Sequence, residues 1–153
     1  MIDSIKKILF TGSLNDEYLS DLVADLSETI DEHKLELFSY SNSNNQNQLS
    51  NVKPLIESNV CKMDLIVSIG GDGTMLKSSK LASNHNVPIT GINKGRLGFL
   101  TDINPELVSD ALKEIIQGDY QIESRMLLDV KISNGDEERF IGHAVNDLVI
   151  NKT

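Results

Sequence analysis

The sequence predicts an α/β protein built on an open, mainly parallel sheet and followed by the start of a β-rich segment. Three observations carry this. Short apolar runs alternate with helix-spaced segments as far as about Tyr120, the rhythm of βαβ units. One of those runs, "MDLIVSI" at 63–69, is continuously apolar, as parallel strands covered on both faces are. Beyond residue 120 two long extended runs follow each other with no helix between them.

Taken in order, "IKKILFTG" (5–12) reads as a strand closing on glycine. A helix is expected from about Asn15 to Asp31, because Tyr18, Leu19, Leu22, Val23, Leu26 and Ile30 recur at three- and four-residue intervals. "KLELFSY" (34–40) alternates polar and apolar residues and gives a second strand, and the polar run "SNSNNQNQLSN" (41–51) reads as a flexible loop. The strand at 63–69 comes third. A helix follows from about Thr74 to Asn84, then a strand at "VPITGI" (87–92). A last helix spans 105–118, with Pro105 in its first turn and Gly118 at its end. Residues 1–120 thus read as a Rossmann-like α/β domain in outline, which its GGDGT motif (70–74) makes a candidate for nucleotide binding. "IESRMLLDVKIS" and "ERFIGHAVNDLVIN" are joined around Asn134-Gly135, a hairpin signal. Residues 121–153 read as the first strands of a truncated β-rich domain. A lone pair of strands is marginally stable, so the chain reads as an N-terminal fragment of a longer protein.

Composition narrows the function classes. Twenty-three acidic against fourteen basic residues give a net charge of −9, a poor surface for nucleic acid or anionic lipid. No apolar run approaches a membrane span and no leader pattern opens the chain. The single cysteine, Cys61, fits a reducing cytoplasm and is expected to be a half-buried hydrophobe. His33, His85 and His143 lack the close spacings of metal sites and read as structural or surface residues. A protein of this charge binds phosphates, if at all, with a local device.

"LIVSIGGDGTMLKSS" (65–79) offers one. Gly70, Gly71, Asp72, Gly73 and Thr74 fall at the carboxyl end of a strand and before a helix, where open α/β sheets bind ligands. Glycine lets a ligand approach the backbone, and helix N-terminal amides receive phosphate oxygens. The spacing is neither that of a P-loop nor that of the dinucleotide fingerprint. A plain strand-to-helix turn would explain it equally well. Asp72 tips the balance, since a carboxylate repels phosphates and its presence here suggests a chemical role. It could accept a proton from an attacking hydroxyl, or help to hold a divalent cation.

"GGDGT" (70–74), "GINKGRLGFLTD" (91–102) and "ND" (146–147), in that order and spacing, closely resemble the bacterial NAD kinases. The second motif is the more specific, because lipid kinases also carry GGDGT. The resemblance implies phosphorylation of the 2′-hydroxyl of the adenosine ribose of NAD by ATP or polyphosphate, with Mg²⁺ screening the phosphates, in a cytoplasmic enzyme that is a dimer or tetramer at full length. It makes Asp72 the proton acceptor and Gly73 an NAD contact. Lys77 stands where the family often has a basic residue, though a solvated helix lysine is an equal reading. Phe99 corresponds to a ring beside the adenine, and Gly95 and Gly98 to loop-shaping positions. Asn146 and Asp147 match the pair that binds the nicotinamide-side ribose, and both are expected within a strand, on opposite faces. Two alternatives stay open: a GGDGT-type lipid or sugar kinase, and a non-catalytic dinucleotide-binding module. By the same comparison the family's later contacts lie beyond Thr153, so the isolated chain is expected to be inactive.

Overall fold

The computed structural model describes residues 4–12, 16–40, 51–94, 100–101 and 103–150. The chain divides into two compact units, Met1–Gln121 and Ile122–Thr153.

The first unit is an α/β sheet of five strands in the order β3-β2-β1-β4-β5, every pairing parallel. β1 is Lys7–Gly12, β2 Glu36–Tyr40, β3 Val52–Leu55, β4 Leu65–Gly70 and β5 Ile89–Asn93. All six residues of β4 are buried, which is why its sequence is apolar without alternation. Its side chains divide between two cores. Leu65, Val67 and Ile69 face the helices α1 (Asp16–Asp25) and α4 (Val108–Gln117), with Ile8, Phe10, Leu19, Leu22, Ile92 and Leu112. Ile66 faces the other way, toward Ala82 of α3 (Asp72–His85), with Leu9, Val60, Met63 and Val87.

The helix expected over 15–31 is two: α1, and α2 at Ser27–His33. The break falls at Leu26, whose φ of −94° and ψ of 2° leave the helical basin. The amide bonds Leu26 to Leu22 and Ile30 to Leu26 persist across it. α2 ends on Lys34, left-handed at φ 54°. β3 was not expected from the sequence. Pro54 within it removes a ladder donor, a loss tolerated because β3 is the sheet's edge. α3 begins two residues earlier than expected, and Asn86 closes it in the left-handed conformation. A 3₁₀ turn at Pro105–Leu107, capped by the Asn104 side chain, leads into α4, and Gly118 at φ +93° ends it. Cys61 is exposed rather than half-buried, because the 3₁₀ turn Glu57–Lys62 presents Val60 to the core instead. The polar loop lies outside the described residues, apart from Asn51.

The second unit is a hairpin of β6 (Leu128–Asn134) and β7 (Glu137–Ala144). Gly135 at φ +63° supplies the first central residue of its two-residue turn. Both strands are shorter than the sequence suggested. A bulge after Val130 keeps Asp129, Lys131, Phe140 and His143 on one side. There His143 Nδ1 lies 2.9 Å from Asp129 Oδ1 and Lys131 Nζ 2.8 Å from Glu138 Oε1. Alternation places Leu128, Val130 and Ile132 on the other side.

Candidate active site

The strand order reverses between β1 and β4, and at such a switch point the carboxyl ends of an open sheet leave a crevice. Gly12 ends β1 and Gly70 ends β4. Both are glycine for a steric reason. Gly12 has φ +107°, and a methyl there would run into the Ile69 carbonyl oxygen and come within 2.7 Å of Thr74 Cγ2. At Gly70 it would lie 2.5 Å from Thr74 Oγ1 and 2.7 Å from Thr74 Cβ. The Thr74 side chain therefore fills the crease between the two strand ends, as a packing element. Gly71 and Gly73 differ. Gly71 has an ordinary φ of −95°, and the conformational freedom of glycine is used at Gly70, whose φ is +155°. Added methyls at Gly71 and Gly73 would meet nothing within 4 Å. Both are exposed and leave open backbone at the first turn of α3.

Asp72 is the first residue of α3, with Gly71 as N-cap and no side chain capping the turn. The Thr74 amide donates to the Gly71 carbonyl at 2.9 Å, which leaves the two amides before it outside the helical ladder. The helix dipole favours negative charge there, so the position suits a carboxylate or a phosphate. The helix is fixed from beneath. Ser78 Oγ lies 2.8 Å from Thr11 Oγ1 and accepts from Ser68 Oγ at 3.0 Å, a buried hydroxyl chain joining β1, β4 and α3. Lys77, exposed, shares a helix ridge with Gly73 four residues before it.

The second motif folds onto the first. Gly70 pairs with Asn93 across β4 and β5, and the Lys94 amide donates to the Gly70 carbonyl at 3.2 Å. The Leu100 amide donates to Asp72 Oδ1 at 3.1 Å. Residues 94 and 100 are thereby tied to the two ends of the Gly70–Asp72 turn. Thr101 is buried against Gly91, and Ile103 bridges to Ile92. Phe99, with Gly95 and Gly98, lies outside the described residues. Asn146 and Asp147 are exposed; Asn146 stands in a bend past the end of β7 and Asp147 directly follows it, neither inside a strand. The pairing stops at Ala144, so the strand alternation expected to divide them does not apply.

Two residues were missed by sequence reasoning. Asn93 is 2% exposed, and its Oδ1 has no hydrogen-bond partner. Lys94 holds its ammonium 5.1 Å from the Tyr18 ring centroid. A polar pair ending an apolar strand was the available signal. Tyr18 itself titrates above the usual tyrosine value because burial disfavours its phenolate.

A doubly wound parallel sheet with an aspartate and open glycines at its switch point is the arrangement in which open α/β domains hold ligands beyond their strand ends. Residues 14–120 match the ATP-NAD kinase N-terminal domain. The chain belongs to the ATP-NAD kinase family. It is 42% identical over 99 residues to an NAD kinase of Heliobacterium modesticaldum, an alignment covering 65% of this chain and 35% of that protein. With an NAD kinase of Legionella pneumophila the identity is 45% over 91 residues, 60% of this chain and 31% of the relative. The chain thus spans about a third of the length of these relatives. The fold is also that of a yeast NADH kinase crystallised with NADH, at a TM-score of 0.73, 21% identity, and coverage of 94% of this chain and 48% of the other.

Proposed function

We propose that the protein of which this chain forms part is an NAD kinase, transferring a phosphoryl group from ATP or polyphosphate to the 2′-hydroxyl of the adenosine ribose of NAD. The observation that carries the reading is the Leu100 amide on the Asp72 carboxylate. It joins the two motifs at the carboxyl end of β4, where an acceptor and a phosphate donor can be held together.

In this reading the 2′-oxygen attacks the terminal phosphorus, the bond from that phosphorus to the bridging oxygen breaks, and the shortened donor leaves. Asp72 accepts the proton of the attacking hydroxyl, a contribution of about 10²–10⁴-fold. The open backbone at Gly71 and Gly73 receives phosphate or ribose oxygens, and Gly70 and Thr74 set the turn. Lys77 adds a cation on the α3 side. Asn146 and Asp147 bind the ribose on the nicotinamide side, and Phe99 lines the adenine.

Among the described residues no group of three or more His, Cys, Asp or Glu gathers to hold a metal. We assign Mg²⁺ to the donor's phosphates, as part of the substrate. Among the described residues no helix is long and apolar enough to cross a membrane. We propose a cytoplasmic location from the family resemblance and the single cysteine. We further propose that residues 121–153 begin a β-rich, NAD-binding domain and that the full-length protein is a homo-oligomer.

The test is NADP formation by the full-length protein, compared with phosphoryl transfer to diacylglycerol. Transfer to lipid and not to NAD would end the reading. An Asp72→Asn variant that turned over like wild type would show that Asp72 is not the base, and binding of NAD without any NADP formation by the wild type would favour a binding module.

A further inference from the structure

We propose that Lys94 is a further ligand-binding residue of this crevice, an ammonium that engages the donor's phosphate groups from the α1 side.

Lys94 directly follows the last residue of β5, and its amide is fixed on the Gly70 carbonyl at 3.2 Å. Its backbone is thus part of the turn that presents Asp72. Its side chain reaches the ring of Tyr18, on the helix that follows β1. β4 lies between β5 and β1 in the sheet, so this contact carries the ammonium toward the β1–β4 junction. Alternation sends the preceding residue the opposite way. Gly91 faces Met75 of α3, and Asn93, two residues on, faces the same side. Its buried Oδ1 without a partner marks this strand end as a place where packing alone does not account for the residues.

Lys77 on α3 and Lys94 toward α1 therefore put two ammoniums on opposite sides of the Gly70–Thr74 turn. In a chain of net charge −9, a polyanionic donor depends on such local cations. Lysine is suited to this as a point charge on a flexible stem. A charge-assisted bond from an ammonium to a phosphate oxygen is about twice as strong as a neutral one, which is what a second cation at this turn would contribute. Naming the ligand a phosphoryl donor rests on the kinase reading; the affinity for phosphates does not.

The experiment measures inorganic tripolyphosphate, ATP and adenosine by calorimetry at low salt on this chain, with wild type, Lys94→Gln, Lys94→Arg and Tyr18→Leu. Lys94→Gln is expected to weaken tripolyphosphate and ATP about tenfold, the worth of one charge-assisted contact. Adenosine should stay within about twofold and the thermal midpoint unchanged. Lys94→Arg should restore most of the loss, and Tyr18→Leu should bind tripolyphosphate at least as tightly as wild type. Wild-type tripolyphosphate affinity in Lys94→Gln, no tripolyphosphate binding by wild type, or an equal loss for adenosine would each overturn the proposal. In the full-length protein the two readings separate. Absent NADP formation strikes the kinase reading and leaves the tripolyphosphate result standing. Intact NADP formation with an unchanged KM for ATP in Lys94→Gln strikes Lys94 alone.

Discussion

The Leu100 backbone amide donates to Asp72 Oδ1 at 3.1 Å, so one carboxylate both begins α3 and anchors the second glycine-rich motif. In the proposed reaction that contact orients the base, because a carboxylate held by a backbone donor cannot swing away from the crevice.

Two substitutions separate these roles. Asp72→Asn keeps an oxygen acceptor for Leu100 and removes the proton acceptor. In the full-length enzyme turnover should fall by about 10² or more, with NAD affinity within about tenfold. Asp72→Ala removes the anchor as well and should cost a further ~1 kcal/mol of stability. Equal thermal midpoints for the two variants would show that the Leu100 contact contributes nothing.

The glycines divide into two kinds. Gly70→Ala drives a methyl into Thr74 and should destabilise by about 2 kcal/mol or more, partly recovered when Thr74→Ala is added. Gly71→Ala projects into open space and should stay within about 1 kcal/mol, so that any damage is read in nucleotide affinity. Thermal unfolding of the three variants checks the order.

Ser78→Ala strips the buried Thr11 and Ser68 hydroxyls of their shared partner. A loss of about 1–3 kcal/mol is expected, whereas replacing all three hydroxyls by apolar groups should cost less than the separate losses summed. Denaturant midpoints decide it.

Tyr18 carries a pH dependence. Burial raises its folded-state value above the usual 10.0, so its contribution to stability is complete below pH 10 and is lost as pH rises through the folded value. Tyr18→Phe should flatten the alkaline limb of the stability curve. An unchanged limb would assign it to other groups.

The legible parts of the fold were those whose signal is local. β4 declared itself because both its faces are covered, and Asp72 because glycines flank it at a strand end. β3 escaped because it is four residues long and contains Pro54. The break at Leu26 escaped because apolar spacing continues across it. Asn146 and Asp147 sit in an apolar run that looks like strand, but among the described residues the pairing of β7 stops at Ala144. The Leu100 contact is made by a backbone amide, which every non-proline residue has, so nothing in the sequence could mark it.

The crease filled by Thr74 also has a kinetic side. Gly12, Gly70 and Thr74 interlock only when the two ends of a segment of roughly sixty residues meet, a closure whose entropic cost comes before any packing reward. β1 and β2 can pair as soon as both have emerged during synthesis. The crevice cannot exist until β4 has docked beside β1. A nascent chain would therefore complete its cores and its binding edge in the same late step, and a slowed β1–β4 docking would leave it with nowhere to hold a ligand.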